Sequence, residues 1–148
     1  MENLREIFQV MTRRFGLLNK NCCQVGGEEL SLVQSHILYE ILQKDRPSMQ
    51  QVADTLAIDI TTFSRQIQTL VKLELVKKTP LPEDKRVSQL TLTTQGKYVA
   101  TKIDADMNRY LTEVFSHMSE FEQEMVIRSV KLLNEAMSKS TVCCKPLI

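Results

Sequence analysis

The segment Asp84-Lys85-Arg86 carries residue types that could recognise a polyanion. Cationic side chains at a hairpin tip suit the narrow, electronegative minor groove of DNA, so we expect Lys85 and Arg86 to enter it. A carboxylate cannot bind phosphate directly, and we therefore expect Asp84 to orient Arg86 or Arg65 through a charge-assisted hydrogen bond. The alternative is a solvated hairpin tip that binds nothing.

A second set of polar residues lies on the helix that is predicted upstream of this segment. Arg65 can pair bidentately with guanine, which is worth about 1–3 kcal/mol of discrimination between bases. Thr61 and Thr62 can reach thymine methyls, base edges or phosphates. Lys77 and Lys78 are expected at the DNA backbone, where contacts position a protein without specifying a sequence.

All residues that we expect to contact DNA are polar or charged, and the alternative for each of them is an ordinary solvated surface position. They are Ser48, Thr61, Thr62, Ser64, Arg65, Gln68, Lys77, Lys78, Asp84, Lys85 and Arg86.

The four cysteines form two adjacent pairs, Cys22-Cys23 and Cys143-Cys144. Neither pair has the C-x-x-C spacing of a zinc motif, and a disulfide between neighbouring residues is strained. Soft thiolates could bind a thiophilic metal or metalloid effector such as trivalent arsenic, or they could sense oxidants by forming a bridge. Two alternatives stay open: the cysteines are small buried residues with reduced thiols, or they bind a structural metal. No cofactor or metal site is certain.

The polar and charged residues need elements that position them. Two short helices, opening at Ser48 and Asp59 and separated by about three residues, have the spacing of a helix-turn-helix. Alternation and flanking prolines predict strands over residues 75–79 and 87–92, joined as a hairpin. A basic hairpin beside a helix-turn-helix is a DNA-binding arrangement.

Longer amphipathic helices flank this unit. Their apolar spacing predicts helices from residue 2 to about 21, from Ser31 to before Asp45, over 93–117 and over 119–138. The apolar stripes of the terminal helices exceed what a small winged domain can bury, and two-fold dimers are the commonest solution. The predicted fold is mainly α with a small β-hairpin wing, a winged helix-turn-helix flanked by N- and C-terminal dimerisation helices.

Composition narrows the functional class. The 148 residues are 43% hydrophobic with a net charge of +1, and residues 59–86 hold six cations against four anions. DNA affinity must therefore come from the placement of charge and from a second subunit, not from bulk charge. With no membrane-length apolar run and no signal-peptide pattern, we expect a cytoplasmic protein without a membrane partner. No phosphate loop, Ser/His/Asp set or C-x-x-C motif is present, so an enzyme is not expected.

The chain resembles the MarR family of bacterial transcription regulators over residues 30–96. The matching segments are Leu30-Ser31-Leu32-Val33-Gln34, Met49-Gln50-Gln51-Val52-Ala53 with Leu56, Thr61-Thr62-Phe63-Ser64-Arg65-Gln66-Ile67 with Leu70, Leu75-Val76-Lys77-Lys78, Asp84-Lys85-Arg86, and Leu90-Thr91-Leu92-Thr93 with Gly96. Glu74 departs from the family, which usually has Gly there. If the left-handed helix end is kept, Glu costs about 1 kcal/mol.

The resemblance implies a homodimer that binds a palindromic operator in double-stranded DNA, with the helix at 59–73 in the major groove and the wing in the flanking minor groove. It also implies that an effector often acts near the junction of the dimer helices and the winged domain, and a small-molecule effector is among the partners that we expect. Residues 30–96 would form the DNA-binding domain, and residues 1–29 and 97–148 the dimerisation helices. We expect a repressor released by a ligand or by thiol modification. The alternative is a winged-helix protein–protein interaction module without sequence-specific DNA binding.

Overall fold

The computed structural model describes residues 2–16, 23–25 and 28–140. The elements, in chain order, are α1 (Leu4–Phe15), β1 (Cys23–Val25), β2 (Glu28–Leu30), α2 (Leu32–Gln43), α3 (Met49–Thr55), α4 (Ile60–Lys72), β3 (Val76–Pro80), β4 (Ser88–Leu92), α5 (Thr94–Ser116) and α6 (Glu120–Ser138). This mainly helical architecture with an antiparallel β3–β4 hairpin confirms the predicted fold class. None of the described helices is long and apolar enough to cross a membrane.

The predicted helix starts are confirmed by their caps. Ser31, Ser48 and Ser119 each form a capping box, in which the serine hydroxyl accepts from the third helical N–H and that residue's side chain accepts from the serine N–H. Asp59 caps α4 by accepting from the N–H of Thr62. These caps satisfy backbone donors that the first turn of a helix leaves unpaired.

The N-terminal region differs from the prediction. Helix α1 ends at Phe15, where Gly16 adopts a left-handed conformation with φ 86°, and does not continue as predicted; residues 17–21 of the predicted helix lie outside the described residues. The prediction from apolar spacing did not take Gly16 as a helix stop. The β1–β2 pair was also missed: it is antiparallel, with Val25 opposite Glu28. Two glycines between short strands are a hairpin signal.

The buried core lies in the middle of the chain. Within the described residues, all side chains that are buried lie between Leu30 and Ala100. Most come from α2, α3, α4, the β3–β4 hairpin and the start of α5, and Leu30 of β2 and Leu75 of the α4–β3 turn join them. Helices α1 and α6 bury no residue completely. The end of α1 contacts α5 through an edge-on ring pair between Phe15 and Tyr110, with centroids 6.5 Å apart.

Strand β4 of the hairpin pairs with the segment that leads into α3. The N–H of Leu90 donates to the carbonyl of Pro47 over 2.8 Å, and Gln89 forms a β-bridge with Ser48, the cap of α3. In the β3–β4 register, Val76 lies opposite Leu92 and Lys78 opposite Leu90. The wing is therefore held against the N-terminus of α3 by backbone hydrogen bonds.

A tight turn connects α4 to β3. Glu74 has φ 60°, so the left-handed helix end is kept although glycine is absent. Thr93 closes the turn: its hydroxyl donates to the Glu74 carbonyl over 2.6 Å and its N–H to the Leu75 carbonyl over 3.1 Å. Gly96 lies directly above, where an added Cβ would overlap the Leu75 carbonyl oxygen. Only glycine fits at that position without movement.

Candidate nucleic-acid interface

A groove of about 390 Å³ lies between the helix-turn-helix and the hairpin. It is lined by residues from the start of α3, the first turns of α4 and the inner side of the wing: Ser48, Met49, Gln50, Ile60, Ser64, Lys78, Arg86, Val87 and Ser88. The predicted set contributes Ser48, Ser64, Lys78 and Arg86 to it. Residues far apart in the sequence are thus brought to one concave, cation-bearing surface.

Arg86 at the wing tip is held by Asp84. The guanidinium donates to the carboxylate through Nε (3.1 Å) and a terminal nitrogen (3.4 Å), and the Arg86 N–H donates to the same carboxylate over 3.0 Å. These hydrogen bonds lower the pKa of the Asp84 carboxyl. The Arg86 side chain is nevertheless 92% exposed. Asp84 therefore orients the arginine without covering it, and of the two arginines considered from the sequence it is Arg86 that it contacts.

The start of α4 is organised by Asp59. Its carboxylate accepts from the Thr62 N–H (2.9 Å) and from the Thr62 hydroxyl (2.7 Å). The hydroxyl and then the backbone bond of Thr62 lower the pKa of Asp59. Because the Thr62 hydroxyl donates its proton within the protein, only its lone pairs and methyl group are free for a ligand.

The polar face of α4 is exposed as the sequence predicts. Thr61, Arg65 and Gln68 are exposed and lie along one side of the helix, while Phe63 and Ile67 are buried on the other. Within the described part of the chain the Arg65 guanidinium forms no ion pair. A free guanidinium on an exposed helix face can form bidentate hydrogen bonds to a ligand.

The two lysines of β3 differ in position. Lys78 lines the groove, together with Ser88 of the partner strand. Successive side chains of a strand point to opposite faces, so Lys77 lies on the other face of the wing, across from Thr91. Both lysines are exposed, and so is Lys85 at the tip. Of the three lysines in the predicted set, Lys78 is the one brought into the groove.

Five of the residues that line the groove were missed from the sequence: the polar Gln50 and Ser88 and the apolar Met49, Ile60 and Val87. Of these, Ile60 is 43% exposed. The sequence did contain a signal for Ile60, because this residue lies one turn before Ser64 on the same face of the predicted helix.

Three of the four predicted sensor cysteines lie outside the described residues. They are Cys22, Cys143 and Cys144; Cys23 is the first residue of β1, and its side chain is not described. Among the residues that the structure describes, no group of three or more His, Cys, Asp or Glu side chains could hold a metal ion.

Comparison with known proteins links this geometry to one group of regulators. The sequence model of the MarR family matches residues 30–88. The uncharacterised HTH-type transcriptional regulator YxaD of Bacillus subtilis is 30% identical over 128 residues, which cover 84% of this chain and 85% of that protein.

Solved structures show the same fold at lower identity. Streptococcus pneumoniae FabT, solved in complex with DNA, superposes with a TM-score of 0.79 at 17% identity and covers 91% of this chain and 97% of its own. PcaV from Streptomyces coelicolor, solved in complex with its natural ligand, has a TM-score of 0.72 at 19% identity over 90% and 93% of the two chains.

Proposed function

The chain belongs to the MarR family of DNA-binding transcriptional regulators, which are not enzymes, and we propose that it acts as a homodimeric repressor of a palindromic operator. The observation that carries this proposal is the groove in which α4 and an oriented wing arginine face the same side of the molecule. Helix α4 would enter the major groove with Arg65 at a base edge. Arg86 and Lys85 would enter the adjacent minor groove.

Homodimerisation is supported by the exposed apolar faces of α1 and α6. Their exposed large hydrophobic residues are Leu4, Ile7, Phe8, Met11, Phe15, Phe121, Met125, Ile127, Val130, Leu132 and Met137. Leu4, Phe121 and Leu132 are 68%, 75% and 68% exposed. Exposed apolar side chains in such number on a helix are normally covered by a partner. We propose that residues 1–29 and 97–148 form the dimer region and that residues 30–96 bind DNA.

Two-fold symmetry then explains how a nearly neutral chain binds DNA. Two α4 helices would reach successive major grooves about 34 Å apart. Each half-site would add its own phosphate contacts, so affinity grows without a strongly basic composition. A small change in the separation of the two helices would weaken both contacts at once, which is how an effector would release the repressor.

The effector is proposed to be a small molecule or a thiol-reactive agent. PcaV was solved with its natural ligand, which supports a small-molecule effector; we propose that this effector binds near the junction of the dimer helices and the winged domain. The paired cysteines near both predicted dimer segments support thiol modification by an oxidant or a thiophilic metalloid.

The proposal of DNA recognition is tested by selecting duplexes from a random pool and measuring affinity at fixed salt by fluorescence anisotropy. Arg65→Ala and Arg86→Ala are expected to weaken binding about tenfold or more, since each removes a charged contact. Arg109→Ala is the control: Arg109 is an exposed α5 residue paired with Asp106, 2.9 Å away. Failure of the pool to yield any preferred duplex, with an intact dimer, would favour a protein–protein interaction module.

The effector proposal has a separate test. Operator affinity is measured with and without arsenite or peroxide, for wild type and for a variant with Cys22, Cys23, Cys143 and Cys144 replaced by Ser. Loss of operator binding in wild type alone is expected. Equal affinity in all samples would leave a non-thiol ligand as the proposed effector.

A further inference from the structure

Ile60 is an exposed apolar residue in a groove that also carries two cationic side chains, Lys78 and Arg86. It is the first residue of α4, 43% exposed, and lines the groove one helical turn before Ser64, opposite Lys78 and Arg86 of the wing. Lysine and arginine bind the anionic backbone of a nucleic acid, but isoleucine gains nothing from phosphate. Its presence here needs a different partner.

The position of Ile60 follows from the apolar stripe of its helix. Phe63 and Ile67 on the same stripe are 0% and 1% exposed, because they point into the core. Ile60 lies one turn earlier, where the stripe leaves the core and opens into the groove. Met49 also lines the groove, and Ile60 is 43% exposed there. A β-branched side chain has few rotamers, so the exposed methyl groups are presented in a nearly fixed place.

The major groove of DNA offers one apolar group, the C5 methyl of thymine. Cytosine has a hydrogen at that carbon and an amino donor next to it, which isoleucine cannot satisfy. We propose that Ile60 is a specificity-determining residue that reads the C5 methyl of a pyrimidine in each half-site. This inference rests on the proposed function, since it requires α4 to lie in the major groove.

The same helix then reads two kinds of chemistry. Arg65 would supply hydrogen bonds to a guanine on the Thr61–Arg65–Gln68 side of α4. Ile60 would supply the apolar contact on the side that faces the wing. A base pair beside the guanine position is therefore specified by shape and hydrophobicity, not by hydrogen bonds.

The test removes the methyl group from the DNA and leaves the protein unchanged. Each thymine of a selected operator is replaced in turn by deoxyuridine, which differs only by that methyl. At one symmetric position per half-site we expect wild-type affinity to fall about fourfold, the value of one buried methyl-sized group. Placing 5-methylcytosine there, opposite guanine, should restore part of the affinity that plain cytosine loses.

Two protein variants assign the effect to the residue. Ile60→Ala should bind the thymine operator more weakly and show no further loss with deoxyuridine. Val71→Ala is the matched control, because Val71 is an α4 residue of similar exposure, 40%, in the last helical turns; it should keep the wild-type response to the methyl group. Thermal unfolding of the free proteins shows whether Ile60→Ala is folded.

The possible failures are distinguishable. If no duplex is preferred by wild type, the proposed function itself fails. If wild type binds its operator but deoxyuridine has no effect at any position, the inference is wrong while the proposed function stands. The inference is equally overturned if Ile60→Ala loses affinity on deoxyuridine substitution as much as wild type does.

Discussion

At the residue scale, the effect of each cation depends on where its neighbours place it. Asp84 holds Arg86 by its main chain and its guanidinium while leaving the side chain exposed. The sequence alone indicated that Asp84 would orient an arginine, but it could not choose between Arg86 and Arg65. That choice depends on the conformation of the hairpin tip, where residues two apart turn back on each other. Likewise, only the strand register shows that Lys78 lies in the groove and Lys77 on the opposite face of the wing.

The two lysines give a matched pair of variants for DNA binding. Lys78→Ala should weaken operator affinity and reduce the slope of log affinity against log salt by about 1 for each phosphate that is no longer neutralised. Lys77→Ala removes the same charge from the opposite face of β3 and should change both quantities less. Anisotropy titrations at several salt concentrations measure the difference. Equal losses in the two variants would contradict the placement of Lys78 at the interface.

The cap of α4 predicts a pH dependence of stability. Hydrogen bonds from Thr62 lower the pKa of Asp59 in the folded state. The stabilisation by Asp59 is therefore complete above its unfolded pKa, about 3.9, and is lost as the pH falls through the lower folded value.

The measurement compares wild type with Asp59→Asn, which keeps an acceptor for the helix N-terminus but cannot titrate. Urea unfolding from pH 6 down to pH 3 should show a steeper loss of stability for wild type below about pH 4. Asp84 and Asp106 also have lowered pKa values, but they are present in both proteins and cancel. Parallel curves would show that Asp59 does not contribute.

At the element scale, the wing and α5 depend on the turn between α4 and β3. This turn combines a left-handed Glu74, the hydrogen bonds of Thr93 and the close approach of Gly96 to the Leu75 carbonyl. Helix starts, the helix-turn-helix and both wing strands could be predicted from caps and periodicity, because those signals are local. The end of α1 was mispredicted because one glycine ends the helix although the apolar stripe continues in the sequence. The β1–β2 pair was missed because its strands are only three residues long.

Replacement of Gly96 tests the packing at this turn. Gly96→Ala places a methyl group against the Leu75 carbonyl, so the backbone must shift and stability should fall by about 1–3 kcal/mol. Gly16→Ala is the comparison, since Gly16 has φ 86° but nothing within 4 Å of an added Cβ; its cost should be limited to about 1 kcal/mol of backbone strain. Urea denaturation measures both. A Gly96 variant as stable as wild type would contradict the close approach.

Replacement of Glu74 by glycine tests the same turn in the opposite direction, because it should relieve backbone strain. Glu74 adopts φ 60°, and Glu74→Gly should stabilise the protein by about 1 kcal/mol because glycine accepts that conformation freely. Glu74→Ala removes the carboxylate but keeps the Cβ, so it should give no such gain. Urea denaturation of both variants measures the difference. If the two variants are equally stable, the charge and not the backbone accounts for the effect.

At the scale of the whole molecule, the described residues contain one buried core and a large apolar surface on the helices that flank it. The core spans Leu30 to Ala100, and α1 and α6 expose the apolar faces that the sequence predicted to need partners. The amphipathic pattern of these helices was predictable. Their covering partner was not, because a sequence pattern identifies an apolar face without identifying what binds it.

The most direct test of a two-fold DNA-binding regulator is the mass of its complex with a selected operator, measured by sedimentation velocity together with a hydroxyl-radical footprint. We predict two protomers per duplex and two protected half-sites centred about 10 base pairs apart. Leu132→Glu, on the exposed face of α6, should yield monomers with weak binding. Asn134→Glu, an exposed polar position of α6 with the same charge change, should form the wild-type complex. One protomer per duplex, or a footprint without two-fold symmetry, would contradict the proposed mode of action.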